Sequence, residues 1–254
     1  MRDILDAVAS GDLSPAEAEA ELTGYASVDA GRFDAAREQR RGVPEAILAD
    51  GKTAAEIAEL ATTAVATAGR AIVTRIDDPA ANAVAAILSE EAPEATVRWN
   101  DRAKMLVAHA PSYEPPRFDA TVGIVTGGTS DAEPAGEAAM IAGEMGARVD
   151  LIEDVGVAGI ARVLDRLERL RESDVLVVAA GREGALPTVV AGLVHVPVIG
   201  LPVSSGYGFG GEGEAALAGM LQSCTVISAV NVDAGFVAGA QAGLIARAVA
   251  GAWE

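Results

Sequence analysis

The chain has 254 residues, half of them hydrophobic, with 19 basic against 37 acidic residues for a net charge of -18. That length and apolar content suit one large or two modest folded domains, whereas so negative a surface repels nucleic acid and anionic membranes. A single cysteine, Cys224, and two histidines, His109 and His195, exclude a disulfide framework and a multi-cysteine zinc site, and leave little material for a histidine metal site or a Ser-His-Asp triad.

No apolar run reaches the roughly 18 residues of a membrane span, and Met1 to Asp6 lacks the basic region and apolar stretch of a secretory signal. A cytoplasmic, reducing location is expected. The acidic residues are scattered over expected helix faces and lysine occurs only at Lys52 and Lys104. Such a balance suits a high-salt cytoplasm or simply an acidic protein.

In chain order, a helix is predicted from Arg2 to Ala9. A second starts at Ser14-Pro15-Ala16-Glu17, a capping box with proline at the first helical position. The charged run Arg32 to Arg41 reads as a solvated strand or helix edge. Thr53 to Glu56 is another capping box, opening an alanine-rich helix to about Thr67. Ala71 to Ile76 is a predicted strand, Asp78-Pro79 opens a helix to about Glu90, and Thr96 to Trp99 and Ala103 to Ala108 are strands joined by a turn at Asn100-Asp101. Pro111 to Arg117 contains three prolines in seven residues, so it is neither helix nor inner strand. It marks a boundary between a small α/β N-terminal domain, 1–117, and a second domain, 118–254.

Beyond it strands and helices alternate regularly. Strands are predicted over Ala120 to Val125, Arg148 to Ile152, Val175 to Ala179, Pro197 to Leu201 and Thr225 to Val230. Helices are predicted over Ala132 to Met145, Gly159 to Arg171, Pro187 to Val194, about Gly211 to Ser223, and Phe236 to Ala250. Strands without polar alternation are buried on both faces, which implies a three-layer α/β fold on an open parallel sheet.

Three loops then share the carboxyl edge of that sheet, where ligands usually bind. Gly127-Gly128-Thr129-Ser130-Asp131 runs from a strand into a helix start and reads as an anion-binding turn, or as an ordinary connection capped by Ser130 or Asp131. It has neither P-loop nor dinucleotide glycine spacing. In Gly181-Arg182-Glu183-Gly184, Glu183 reads as a buried general base or acid, or as a solvated carboxylate. The loop Pro202 to Gly211, with Ser204, Ser205, Gly206 and Tyr207, is long enough to close over a ligand, Tyr207 or Phe209 stacking on a ring. Cys224 follows a helix, whose negative end disfavours a thiolate, and a lone cysteine is usually a small core residue.

Taken together, Gly128-Thr129-Ser130-Asp131, Asp154-Val155-Gly156-Val157-Ala158-Gly159, Gly184-Ala185-Leu186-Pro187 and Asn231-Val232-Asp233-Ala234-Gly235-Phe236 resemble the AIR carboxylase superfamily, and within it the LarB family. Arg32 to Thr53 resembles the LarB N-terminal region, so the likeness covers nearly the whole chain. It implies a PurE-like catalytic domain that acts on nicotinic acid adenine dinucleotide, with NAD as an analogue. The pyridinium ring is carboxylated at C5 by CO2 as co-substrate and the phosphoanhydride is hydrolysed, giving pyridinium-3,5-biscarboxylic acid mononucleotide and AMP. This is the first step of nickel-pincer cofactor synthesis for lactate racemase.

By the same resemblance the catalytic cysteine and glutamate fall on Cys224 and Glu183. Substrate contacts fall on Gly128, Thr129, Ser130, Asp131, Asp154, Gly156, Gly181, Gly184, Ser204, Ser205, Gly206 and Tyr207. It implies no tightly bound cofactor, leaves room for Mg2+ at the pyrophosphate, and points to a homo-oligomer, typically an octamer. Cys224, preceding a strand, is expected at the opposite sheet edge from Glu183, so a neighbouring subunit or a bend near Ser223 has to bring it to the site. Two other readings are a purine-biosynthetic AIR carboxylase or mutase, and a non-catalytic nucleotide-binding module. The first uses a histidine that Asp154 to Arg162 lacks.

Overall fold

Three helices of the N-terminal part begin where the side chains of Ser14, Thr53 and Asp77 cap them. In the computed structural model, which describes residues 1–252, α1 spans Arg2–Ser10 and α2 spans Pro15–Thr23. Ser14 and Glu17 close a reciprocal capping box on α2, as Thr53 and Glu56 do on the helix Ala54–Ala68, and Gly24 ends α2 in the left-handed conformation. The charged run Arg32 to Arg41 becomes both strand and helix: its start completes β2, Gly31–Phe33, which pairs with β1, Ala26–Val28, in a short hairpin, and its end forms α3, Arg37–Arg41. Ion pairs Arg40 to Asp34 at 2.6 Å and Arg37 to Glu45 at 2.6 Å tie down its charges.

A four-stranded mixed sheet follows, in the order β3 (Ile47–Leu48), β4 (Arg70–Thr74), β6 (Met105–His109) and β5 (Thr96–Asn100). Helices α4, Ala54–Ala68, and α5, Asp78–Glu91, bury Ile57, Ala61, Ala64, Val84 and Leu88 against it. The N-cap of α5 is Asp77, not Asp78: the Asp77 carboxylate accepts the Ala80 N–H at 2.8 Å, and Pro79 sits in the first turn, where its missing N–H is not needed. These elements belong to one unit, Met1–Glu114, and the rest to a second, Pro115–Glu254.

The second unit is a five-stranded, wholly parallel sheet ordered β11-β10-β9-β7-β8. The strands are β7 (Thr121–Thr126), β8 (Arg148–Ile152), β9 (Val175–Ala180), β10 (Val198–Pro202) and β11 (Ser228–Ala229). Central β9 is buried at all six positions, and its residues alternate between two cores. Val175, Val177 and Ala179 pack with α6 (Ala132–Glu144) and α11 (Gly235–Val249). Leu176, Val178 and Ala180 pack with α7 (Ile160–Leu164), α8 (Leu167–Arg171), α9 (Ala185–Ala191) and α10 (Glu214–Leu221). The fold is therefore three-layer α/β, and each strand's period of two serves both helical layers.

Several boundaries depart from the sequence expectation. The helix from Gly159 to Arg171 is two short helices, because the hydrogen-bond ladder tightens to an i−3 bond from Arg166 N–H to the Val163 carbonyl. Helix α9 starts two residues before Pro187, which its first turn tolerates. Only Ser228–Ala229 of the expected strand Thr225 to Val230 pairs. Thr225 is drawn instead toward α9: its hydroxyl shares a hydrogen bond with Ser223 Oγ at 2.7 Å, and Ser223 Oγ meets Thr188 Oγ1 at 2.9 Å. Among the described residues no helix is long and apolar enough to cross a membrane.

Candidate active site

In a parallel sheet every strand ends on the same edge, so the connections after β7, β8, β9, β10 and β11 converge. Two contacts show how closely. A β-carbon on Gly156 would stand 2.6 Å from the Gly127 carbonyl oxygen, and one on Gly206 would collide with the Gly181 carbonyl. Only glycine allows these backbones to touch. Gly181 is likewise packed against Ser205 Oγ and the Gly206 N–H.

Asp131 is the buried centre of this cluster, 4% exposed. Its Oδ2 accepts the Gly128 N–H at 2.8 Å. Burial pushes its carboxyl above the ordinary aspartate range, while hydrogen bonds from the Gly128 and Gly127 N–H groups and the Ser205 side chain pull the other way. The turn expected to receive an external anion has thus turned the Gly128 donor onto its own carboxylate. Thr129 and Ser130 beside it are exposed and form a short 3-10 turn into α6.

Asp154 sits in the left-handed region at φ 57, its N–H turned toward Thr126 Oγ1 at 3.4 Å. Its carboxylate pairs with Arg162 at 2.7 Å. On the other flank Asp233 Oδ1 accepts the Ser204 N–H at 2.9 Å and fixes the base of the loop after β10. Arg182 crosses to the same loop: its guanidinium carbon stands 4.0 Å from the Tyr207 ring centroid and its Nη1 donates to the Tyr207 carbonyl at 3.4 Å. Arg182, Thr126, Arg162 and Asp233 were not singled out as site residues from the sequence. For Arg182 a signal was there, since it is the one basic residue in these loops.

At Glu183 and Cys224, the two residues expected to be catalytic, the structure chooses between the readings left open by the sequence. Glu183 is exposed, in line with the solvated carboxylate and not the buried acid or base, because the turn from β9 into α9 lifts its side chain off the core while Gly184, at φ 68, starts the helix. Cys224 is exposed too, so the reading of a lone cysteine as a core residue does not hold. It lies three residues beyond α10 and four before β11, on the amino side of the sheet, away from the strand ends that carry Glu183. The separation is partial. Ser223 is bonded to Thr188, and Thr188 lies about 6 Å along α9 from Gly184 at 1.5 Å per residue. Leu221 and Val226 flank the cysteine at 69% and 96% exposure. Among the described residues no group of three or more histidine, cysteine or carboxylate side chains is disposed to hold a metal ion.

Comparison with known proteins adds to this geometry. Residues 25–110 match the LarB/PurE-like N-terminal domain, and residues 121–254 match the AIR carboxylase domain. The chain is also 38% identical, over 97% of its own length and 97% of the other's, to an uncharacterised protein of Methanocaldococcus jannaschii.

Proposed function

We propose, from the premise that the chain belongs to the LarB family within the PurE-like superfamily, that it carboxylates nicotinic acid adenine dinucleotide at C5 of the pyridinium ring. The matched domains make it a carboxylase-related enzyme. The finer reading adds hydrolysis of the phosphoanhydride, giving pyridinium-3,5-biscarboxylic acid mononucleotide and AMP, in the cytoplasm, on the path to the nickel-pincer cofactor of lactate racemase.

The chemistry needs two groups. A pyridinium carbon is electrophilic and cannot attack CO2. Addition of the Cys224 thiolate to a ring carbon next to C5 forms a C–S bond, discharges the ring cation and leaves an enamine whose C5 is nucleophilic. C5 then bonds to CO2. Glu183 takes the C5 proton, and the nitrogen lone pair expels the thiolate as the ring regains aromaticity. Hydrolysis consumes one water, and no step is assigned to Mg2+.

One observation carries this reading: the lone cysteine is exposed rather than packed as a core residue. Exposure lets a thiolate meet a substrate whose own cationic ring favours the charged form. Its place on the amino side of β11 leads us to assign the site to two chains of a homo-oligomer, an octamer by family resemblance, with one subunit's Cys224 meeting another's Glu183.

The test is to incubate the protein with the dinucleotide and bicarbonate and to follow the products by mass spectrometry. Dicarboxylated mononucleotide and AMP are expected from the parent. Cys224→Ala should bind the dinucleotide and produce neither, a loss of at least about a thousandfold, as for removal of a covalent nucleophile. Unchanged turnover in that variant defeats the covalent mechanism.

A further inference from the structure

The carboxyl edge has a charge problem. Segments 127–131, 153–159, 181–184, 203–213 and 230–234 contain six acidic residues, Asp131, Glu153, Asp154, Glu183, Glu212 and Asp233, against one basic residue, Arg182. The turn where a phosphate would ordinarily sit already holds the Asp131 carboxylate on the Gly128 N–H at 2.8 Å. The guanidinium of Arg162, on α7, is paired with Asp154 at 2.7 Å. A pyrophosphate brings two further negative charges to this edge, and like charges in a cleft repel strongly unless a cation meets them.

Arg182 has the geometry to be that cation. Its side chain is exposed at the mouth of the loops. Stacking on Tyr207, 4.0 Å from the ring centroid, holds the guanidinium by its face. The donors lie on its edge, and one of them reaches the Tyr207 carbonyl at 3.4 Å. A planar fork of five N–H groups keeps a bidentate edge that matches phosphate oxygens. Arg182 leans over the loop after β10, whereas the backbone of its neighbour Glu183 lies against Gly219 of α10.

We propose that Arg182, held on the Tyr207 ring, pairs with the pyrophosphate of the incoming dinucleotide and so favours substrates that carry this anionic bridge. The inference rests on the reading that this edge takes nicotinic acid adenine dinucleotide. It adds a specificity-determining residue on the strand-end loops, with Tyr207 as its positioning residue.

The experiment compares the parent with Arg182→Gln, Arg182→Lys and Tyr207→Ala. ADP-ribose, which has the pyrophosphate but no pyridine ring, is titrated calorimetrically, and KM and kcat are measured with nicotinic acid adenine dinucleotide. Arg182→Gln should weaken ADP-ribose roughly 10- to 100-fold, the range one charge-assisted hydrogen bond supplies. It should raise KM similarly while kcat changes little. Arg182→Lys should recover part of the loss and Tyr207→Ala should show a smaller one. Nicotinic acid riboside, which carries no phosphate, should bind parent and Arg182→Gln within about twofold, since it has no anionic group for the guanidinium to meet. Equal ADP-ribose affinity in parent and Arg182→Gln overturns the proposal, and a parent that binds no ADP-ribose does so too. If the parent makes no dicarboxylated product yet Arg182→Gln still weakens ADP-ribose, the carboxylation reading fails and the anion pairing stands. If turnover is present and KM is unmoved, the reverse holds.

Discussion

Asp131 couples the candidate site to pH. Its carboxyl is raised above its unfolded value by burial, so the folded state holds its proton to higher pH than the unfolded state does. That difference favours folding fully below the ordinary aspartate value, about 3.9, and is lost as pH rises through the raised value. Asp131→Asn keeps an oxygen to accept the Gly128 N–H and has no carboxyl to ionise. Between those two values the parent's Tm should lose ground relative to the variant with each rise in pH, then run parallel to it above. Parallel curves throughout would mean that Asp131 titrates alike in both states. At this scale the sequence was readable where residue type limits the options: Gly181, Gly206, Ser205 and Asp131 do meet. Arg182 was passed over because the ring it stacks on, Tyr207, lies 25 residues away in the chain, and the exposure of Glu183 and Cys224 depends on how short turns leave the helices.

Helix α11 shows how an element far from the loops holds them in place. It packs along α6, the helix that begins at the Gly128 turn, and a β-carbon on Gly239 would collide with the Ala138 carbonyl oxygen of α6. On an exposed helix, exchanging glycine for alanine stabilises by roughly 0.4–1 kcal/mol through the unfolded chain. Here the obstacle is backbone, which cannot swing aside, so Gly239→Ala should instead destabilise by about 1–3 kcal/mol, as overpacking does. Denaturant midpoints compare the two, and a variant as stable as its parent would refute the close approach. The same logic separates elements that were legible from those that were not. Strand β9 announces itself because six apolar residues in a row can be buried only inside a sheet covered on both faces. The stretch Thr225 to Val230 is equally strand-like locally, yet Thr225 is claimed by hydroxyl contacts to Ser223 and Thr188, leaving two residues to pair at the sheet edge. Composition carries no trace of that long-range competition.

For the whole molecule the decisive question is whether one chain suffices for catalysis. Parallel topology puts Glu183 at the strand ends and Cys224 before β11 begins, a placement readable from the order of elements alone. Leu221 and Val226, both largely exposed beside Cys224, form an apolar border of the kind that a subunit contact covers. If the site is shared, two inactive proteins can repair each other. Cys224→Ala supplies an intact Glu183 and Glu183→Gln an intact cysteine, so some interfaces of a mixed oligomer hold both groups. Co-expression with two different affinity tags, purification through both, and assay with nicotinic acid adenine dinucleotide and bicarbonate should therefore yield dicarboxylated product from the mixture and none from either variant alone. A site confined to one chain predicts the opposite, because every chain in the mixture lacks one group. Doubly tagged oligomers as inactive as their parents would place both residues within a single subunit, and the bend at Ser223 would then have to deliver the thiol.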